Sequence, residues 1–407
     1  MTDFWVAIPT YWTYPGGEGP EELTFDHPTP LDSPGTLRRT LESLIPLATQ
    51  EGVEVGVVAA AAASALEAEV ERRVREVIAF PPLPFPVRLF AASHLSILRE
   101  FCRAQGRTEW LRLLSLAGYS QIRNLTLILA NICGAGAMLS LDDDEVIADP
   151  DFLGKIREDL ELLGKKHPVF GLAGVYKDAD GGVLLPEPAD PWAEAWPKMR
   201  WLNAALKELV LTGPPLKPTH LGFGGNLVVP AALGRRLPFD PAITRGEDTD
   251  YLLNARLFRI PFYLDNSLCI IHLPPEKPHP TWLRLRQDLL RFCYTRLKLR
   301  QQEPGPGRVL VSHEELKPYP GNFLDDELAM RAFLSHNLLA RDYLARGDSE
   351  AARRTMENLA LMDLMEHDGA PVYQTYLDTA SHWQALQDWL ARPDIAAQVR
   401  QALWGEA

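Results

Sequence analysis

The sequence predicts an α/β fold, in which a mostly parallel sheet domain precedes an all-helical C-terminal domain. Over the first two-thirds of the 407 residues, short apolar runs alternate with segments whose apolar residues recur at three- and four-residue spacing. Such alternation is typical of parallel sheets covered by helices on both faces. From about residue 278 the helical spacing dominates. We therefore expect a sheet domain at 1–277 and a helical domain at 278–407.

Apolar runs predict strands at 4–8, 53–58, 87–91, 137–141 and 262–271. Helical spacing predicts helices at 36–47, 66–78, 97–102, 121–133, 149–163 and 245–256. A turn at 178–181 predicts a hairpin of strands 169–176 and 182–185, and the proline-rich segment 186–220 is predicted to be irregular. Later helices are predicted at 282–299, 325–346, 350–365, 373–390 and 395–404, where 340–361 resembles one tetratricopeptide-type hairpin.

Composition and charge exclude several classes of protein. Apolar residues make up 46% of the chain and charged residues 23%, which is typical of soluble globular proteins. The net charge of −13 argues against nucleic acid as the main partner. The four cysteines form no CxxC pair and are expected to be reduced thiols. Because we find neither a transmembrane segment nor an export signal in the sequence, we expect a cytoplasmic protein.

An acidic run ends the fourth predicted strand. Asp142, Asp143 and Asp144 follow the apolar segment 137–141 and therefore lie at one edge of the predicted sheet. Carboxylates crowded this closely repel one another, and Mn²⁺ or Mg²⁺ bound between them would relieve the repulsion. Strand alternation would turn Asp142 and Asp144 the same way and Asp143 aside. The alternative is a solvated acidic turn that caps the following helix.

A second group of polar residues lies downstream. The glycine turn of Gly224, Gly225 and Asn226 precedes an apolar strand, and the sequence Glu247-Asp248 opens a helix. The strand 262–271 then ends at His272. In this order, the elements resemble the GT-A glycosyltransferases, which have a Rossmann-like domain that binds nucleotide sugars. They are most similar to the family 2 group, over about residues 4–275.

The resemblance rests on four motifs. The acidic run matches the DxD metal motif, the glycine turn the sugar-facing loop, Glu247-Asp248 the ED motif, and His272 the late metal-binding histidine. The acidic run followed by Asp149-Pro150-Asp151 is also similar to the galactofuranosyltransferase branch. The resemblance implies a UDP- or GDP-sugar donor, a Mn²⁺ or Mg²⁺ cofactor and a hydroxyl acceptor that is a small molecule or a glycan.

The resemblance also assigns roles to residues. The metal ligands would be Asp142, Asp144 and His272. Asp248, supported by Glu247, would take the proton of the attacking hydroxyl in an inverting reaction, although both residues would also suit a helix N-terminus. The residues expected to bind the donor are Pro9, Thr10, Tyr11, Arg123, Asp142, Asp143, Gly224, Gly225 and Asn226. The family's base-reading aspartate after the second strand is replaced by alanines at 59–63, so the nucleotide is left unassigned.

Other residues allow two interpretations each. Arg123 either pairs with the donor diphosphate or is a surface arginine. The tryptophans of the irregular segment either stack on an acceptor sugar or anchor packing, which we favour: Trp192, Trp196 and Trp201. The cations of helix 282–299 and its end either attract an anionic acceptor or a membrane, or form a solvated basic face, which we favour: Arg284, Arg286, Arg291, Arg296, Lys298 and Arg300.

Three rival functions stay open from sequence. The first is a retaining GT-A transferase similar to the mannosylglycerate and glucosyl-3-phosphoglycerate synthases, which differs in the anomeric configuration of its product. The second is a non-catalytic scaffold that acts through the helical domain. The third is a nucleotidyltransferase, which would use the same phosphate and metal chemistry without the Glu247-Asp248 pair. In the transferase reading, the helical domain shapes the acceptor side or forms a homo-oligomer contact.

Overall fold

The computed structural model describes residues 2–276 and 279–405. The boundary predicted between 277 and 278 lies outside the described residues, and the division into two domains stays a prediction. Within the described residues, no helix is both long and apolar enough to cross a lipid bilayer.

The described strands form one mixed sheet. The strand bounds are β1 Phe4–Thr13, β2 Thr29–Pro30, β3 Val53–Ala61, β4 Val87–Phe90, β5 Ala137–Ser140, β6 Glu145–Val146, β7 Gly171–Lys177, β8 Leu216–Pro218, β9 Leu227–Pro230 and β10 Phe262–His272. Their order is β4-β3-β1-β5-β9-β7-β10-β6; β2 pairs with β1, and β8 pairs with β10. Strands β1, β3, β4 and β5 are parallel, β9 runs antiparallel between β5 and β7, and β10 is parallel to β7. The predicted mostly parallel sheet is confirmed.

Helices cover both faces of this sheet. Those up to the last strand are α1 Leu37–Ser43, α2 Ile45–Ala48, α3 Glu67–Ala79, α4 Ala92–Ala104, α5 Tyr119–Ile132, α6 Phe152–Gly164, α7 Pro191–Ala195, α8 Lys198–Leu211, α9 Ala231–Arg236 and α10 Glu247–Leu257. Those after it are α11 Thr281–Gln301, α12 Leu328–Ala345, α13 Ser349–His367, α14 Val372–Leu390 and α15 Pro393–Trp404. The predicted helical C-terminal region is confirmed.

Two predictions of local structure are wrong. Residues 182–185 form no strand, because β7 already has β9 on one side and β10 on the other. The segment 186–220 is not irregular throughout, since it contains α7, α8 and β8. Helix α8 forms because its fourteen residues lack proline, which instead flanks it at Pro197 and Pro214.

The C-terminal helices share a core with the sheet region. Trp383 is fully buried and belongs to the same apolar cluster as Trp5 of β1 and Leu129 of α5. Its indole Nε1 donates to the Gly234 carbonyl at 2.9 Å. The Tyr376 hydroxyl donates to the Pro238 carbonyl at 3.0 Å. Helix α14 therefore covers the sheet region on the side of α5 and α9.

Candidate active site

A cleft opens at the carboxyl ends of four parallel strands, β1, β5, β7 and β10. It holds about 1240 Å³ of space, part of it open to solvent. Tyr11 of β1, Asp142 after β5, Tyr176 of β7 and His272 at the end of β10 all line it. The strands thus deliver polar side chains to the sheet edge where ligands bind in folds of this class.

The three consecutive aspartates have three different environments. Asp142 is partly exposed and accepts from Arg123 Nη2 at 2.5 Å. Asp143 is buried and accepts from the Thr10 hydroxyl at 2.5 Å. Asp144 is buried beside His272. Because β5 ends at Ser140 and the aspartates lie in the turn that follows, strand alternation does not apply to them, and a shared direction of Asp142 and Asp144 stays a prediction.

Asp144 is the centre of a candidate metal site. Its side chain is 1% exposed, and neither carboxylate oxygen accepts a hydrogen bond from the described residues. Its Oδ2 lies 3.2 Å from His272 Nε2 and 3.5 Å from His27 Nε2. Burial raises the pKa of Asp144, but the interactions with His272 and His27 outweigh it and hold that pKa below its usual value. The carboxylate is therefore ionised at neutral pH and available to a cation.

Glu145 completes the group of candidate metal ligands. One ligand atom each from Asp144, Glu145 and His272 lie within 4.8 Å of one another. Glu145 is fully buried, and its Oε2 accepts from the Asp142 backbone N–H at 2.7 Å. Burial and the charges of Asp142 and Asp144 raise its pKa well above the usual value. A bound divalent cation would offset that repulsion, so these residues fit a metal site.

Two ligand candidates were missing from the sequence prediction. Glu145 directly follows the aspartates, so the acidic run of four residues was a signal for it. His27 is a lone histidine before a proline in a long loop, and no spacing pattern connects it to Asp144. Conversely, Asp142 was predicted as a ligand, and in the structure its carboxylate is bound to Arg123. Its role on a metal stays a prediction.

The glycine turn packs closely against this acidic group. A Cβ on Gly225 would lie 2.1 Å from Glu145 Oε2, and one on Gly224 would lie 2.7 Å from Arg123 Nη2. The Gly225 N–H donates to the Tyr176 hydroxyl at 2.7 Å. Glycine is therefore needed at both positions by close approach, and Gly224 lines the cleft.

Four of the predicted donor-binding residues do not line the cleft: Pro9, Thr10, Gly225 and Asn226. Asn226 is fully buried, and its Nδ2 donates to the Leu268 carbonyl at 3.0 Å and the Val175 carbonyl at 3.3 Å. This amide connects β7 to β10 rather than facing a ligand. Pro9 is buried in the middle of β1. Of the predicted segment 9–11, Tyr11 lines the cleft, and Thr10 holds Asp143.

Arg123 connects the two halves of the site. It is 3% exposed, so the interpretation as a surface arginine is wrong. Its Nη1 donates to Ser140 Oγ at 2.6 Å, its Nη2 to Asp142 at 2.5 Å and its Nε to Glu247 at 3.4 Å. Helix α5 therefore supplies one buried guanidinium that binds carboxylates of both predicted motifs.

The Glu247-Asp248 pair begins helix α10 on the opposite side of the cleft. Gly246, with φ 71°, precedes it and allows the chain to turn into the helix. Asp248 is partly exposed, and its Oδ2 accepts from the Gly224 N–H at 3.1 Å. Glu247 is 7% exposed; burial and the charge of Asp248 raise its pKa to about 7, although Arg123 opposes the shift. The more accessible carboxylate, Asp248, is thus the one suited to accept a proton from a ligand.

The tryptophans of the 186–220 segment divide between packing and the lining of a pocket. Trp196 is 2% exposed, with its ring centroid 4.6 Å from that of Phe323. Trp201 lies edge-on to the same phenylalanine at 4.7 Å. These two are packing anchors, as we favoured. Trp192 lines a second pocket beside the cleft.

The predicted solvated basic face of helix 282–299 is wrong for half of its six cations. Arg291, Arg296 and Lys298 are 7%, 3% and 0% exposed. Arg291 pairs with Asp288, while Lys298 lies 2.9 Å from Asp250 of α10. Lys298 therefore connects α11 of the helical region to α10, which borders the cleft.

Comparison with known proteins gives distant likenesses of the fold. No family model matches the sequence, and neither does any curated protein. A mannosyltransferase from Pyrobaculum calidifontis in complex with GDP-Man and Mn²⁺ is 14% identical, with a TM-score of 0.42 over 99% of this chain and 88% of that one. TarS 1–349 from S. aureus is 14% identical, with a TM-score of 0.39 over 93% and 92%. GalNAc-T7 with UDP, GalNAc and Mn²⁺ is 14% identical, with a TM-score of 0.37 over 79% and 54%. Likenesses of this size establish neither a family nor a substrate.

Proposed function

We propose that this protein is a metal-dependent glycosyltransferase of the GT-A type, which transfers a sugar from a nucleotide diphosphate donor to a hydroxyl group. One observation carries the proposal. A single cleft at the strand ends holds a buried acidic and histidine cluster on one side and an accessible carboxylate, Asp248, on the other. Transfer of a sugar needs these two functions together, because one end of the donor develops negative charge while the acceptor loses a proton.

The metal would be held by Asp144 and His272, with Glu145 and His27 beside them. The two Asp144 oxygens that accept no hydrogen bond from the described residues support this assignment. A bound divalent cation neutralises the charge that develops on a departing diphosphate. Because histidine nitrogens join the carboxylates, we propose Mn²⁺ as the ion, with Mg²⁺, which prefers oxygen ligands, as the alternative.

Asp248 would act as the general base of an inverting transfer. Its Oδ2 is fixed by the Gly224 N–H, while the side chain still reaches the cleft. Glu247 would act through Arg123, which it holds at 3.4 Å, and Arg123 would in turn bind the donor's phosphates. A retaining reaction is the alternative, and the anomeric configuration of the product, read by NMR, separates the two.

Two substitutions separate the proposed roles. Asp144→Ala is expected to abolish metal-dependent binding of the donor, because it removes the central carboxylate of the metal site. Asp248→Ala is expected to keep that binding and to lower turnover by at least about 100-fold, the usual contribution of a general base. Both are measured by calorimetric titration of UDP- and GDP-sugars with Mn²⁺ and by release of the nucleoside diphosphate.

Wild-type turnover in Asp248→Ala would remove the base assignment and favour another mechanism. Unchanged Mn²⁺-dependent binding in Asp144→Ala would remove the metal assignment. If neither nucleotide sugar binds the wild-type protein, the scaffold alternative, in which the helical region carries the function, gains support.

A further inference from the structure

A second pocket, which we call the side pocket, lies beside the cleft. It holds about 970 Å³, and α7, the first turn of α8 and the first two turns of α11 line it. Lys198, Met199 and Arg245 line both the side pocket and the cleft. Arg245 also lies three residues before Asp248 in the chain. The side pocket therefore adjoins the cleft on the side of the proposed base.

Buried cations outnumber the carboxylates where the two pockets meet. Lys198, Arg245 and Arg291 all surround the Asp288 carboxylate, at 2.7, 3.9 and 3.1 Å. Arg245 also pairs with Asp26 at 2.7 Å. The side chains of these three cations are 7–16% exposed. Among the described residues, three positive charges thus share two carboxylates within 4.0 Å, with Asp248 acting on Arg291 from further away. Solvent access is low there, so an unmatched charge is costly.

The charge of Lys198 is itself disfavoured in this setting. Burial lowers its pKa; Asp288 opposes that effect, and the guanidiniums of Arg245 and Arg291 add to it. An anion in the side pocket would offset both the burial and the repulsion.

Arg284 adds a further positive charge on the same pocket. It lines the side pocket, and its Nη2 donates to the Thr281 hydroxyl at 3.3 Å. Its Nε is buried with no hydrogen-bond partner among the residues the structure describes, and no carboxylate of those residues lies within ion-pair distance of it. Arg284 also occupies the first turn of α11, where the helix dipole disfavours a cation. Within residues 2–276 and 279–405, this arginine therefore has no carboxylate close enough to stabilise its charge.

The geometry points to an anion site in the side pocket, in which Lys198, Arg245 and Arg284 bind a phosphate or carboxylate group of the acceptor while its hydroxyl reaches Asp248. The inference rests on the proposed function and adds to it a substrate class, an anionic acceptor. Two helices also direct their N-termini at this pocket, and neither α8 nor α11 has a side-chain N-cap. The half-buried ring of Trp192 offers an apolar wall for the rest of the acceptor.

The anion that these cations bind could also be the diphosphate of the donor. Arg284 distinguishes an anionic acceptor in the side pocket from a donor diphosphate in the cleft. Lys198 and Arg245 border both pockets, so an anion in either could contact them. Arg284 lines the side pocket and is absent from the lining of the cleft. Loss of Arg284 should therefore weaken the binding of an anion in the side pocket and leave the binding of the donor unchanged.

The test is a calorimetric titration of the full chain with inorganic phosphate and, separately, with UDP or GDP plus Mn²⁺. Arg284→Met and Lys198→Met should each raise the dissociation constant for phosphate by about tenfold or more, since each removes a partly buried cation from the site. Arg284→Met should change nucleotide binding less than about twofold. Arg300→Met, at the exposed end of the same helix, is the matched control and should bind phosphate like the wild-type protein.

If Arg284→Met does not fold, Arg284→Gln is the substitute variant, because its side-chain amide can still donate a hydrogen bond to the Thr281 hydroxyl. Phosphate binding that is unchanged in the Lys198 and Arg284 variants would overturn the inference. Phosphate that is displaced by the nucleoside diphosphate with Mn²⁺ would also overturn it, because the anion would then belong to the donor site. If phosphate binds as expected but no nucleotide binds with Mn²⁺, the proposed transferase function fails while the anion site stands.

Discussion

At the scale of single residues, position in the sequence indicated where polar groups lie but not which way they turn. Asp142, His272 and Asp248 could be placed at one sheet edge because each follows or precedes a recognisable element. Side-chain direction was predictable only as far as regular structure continued. The aspartates lie beyond the end of β5 and Asn226 lies in a turn, so alternation could not describe them.

The role that we assign to His27 in the metal site rests on the structure alone, because no sequence pattern connects this residue to Asp144. His27→Ala should raise the dissociation constant for Mn²⁺ by about 10-fold or more, as loss of a ligand or of its supporting partner usually does. The measurement is an EPR titration of free Mn²⁺ against protein, without nucleotide. His367→Ala, an exposed histidine of α13, should bind Mn²⁺ like the wild-type protein. Equal Mn²⁺ affinity in His27→Ala would exclude His27 from the site.

At the scale of elements, the periodicity of apolar residues located the helices well but did not identify the elements with which each helix or strand pairs. The segment 186–220 appeared irregular because prolines are frequent in it, yet they flank α8 and leave its interior free. The hairpin predicted after β7 failed because other strands occupy both edges of β7, a fact set by residues 227–272. Lys298 of the basic helix α11 appeared solvated because Asp250, the carboxylate that pairs with it, is distant in sequence.

Lys298 connects the helical region to α10, the helix that carries Asp248, through a buried ion pair. Its Nζ lies 2.6 Å from Asp240 and 2.9 Å from Asp250, with all three side chains buried. Lys298→Met should lower the free energy of unfolding by about 3–5 kcal/mol, because two buried carboxylates lose their cation. Urea denaturation measures this. Lys317→Met, which removes an exposed pair with Glu314, should cost less than about 1 kcal/mol, and a similar loss in both variants would contradict the account.

Acid sensitivity of the helical region should depend on His336 of α12. Burial lowers its pKa to about 4 from an ordinary value near 6.5. Between these pH values the unfolded chain binds a proton that the folded chain does not, so falling pH lowers stability. From pH 7.5 to 5, the wild-type protein should lose about 2 kcal/mol more than His336→Leu in urea denaturation. Equal losses in both proteins would contradict a buried neutral imidazole.

At the scale of the whole molecule, the sequence predicted which parts of the chain are sheet and helix, but not how the C-terminal helices meet the sheet. An apolar stripe in a helix sequence indicates that one face of the helix is buried, but it does not identify the element that packs against that face. In the structure α14 packs on α5 and α9, while α11 lines the side pocket and binds α10 through Lys298. Helix α11 of the helical region thus lines part of the site that we assign to the acceptor, a role that the sequence allowed for this region without identifying α7 and α8 as its partners there.

The central claim is that the cleft binds a nucleotide diphosphate through a divalent metal. The most direct test is the melting temperature of the wild-type protein with a panel of nucleoside diphosphates, each with and without Mn²⁺. A ligand at one hundred times its dissociation constant adds about 2.7 kcal/mol to the stability of the folded state. We expect a rise in melting temperature with at least one nucleotide, and this rise should require Mn²⁺ and be lost in Asp144→Ala. No rise with any nucleotide, or a rise that is the same without Mn²⁺, would contradict it.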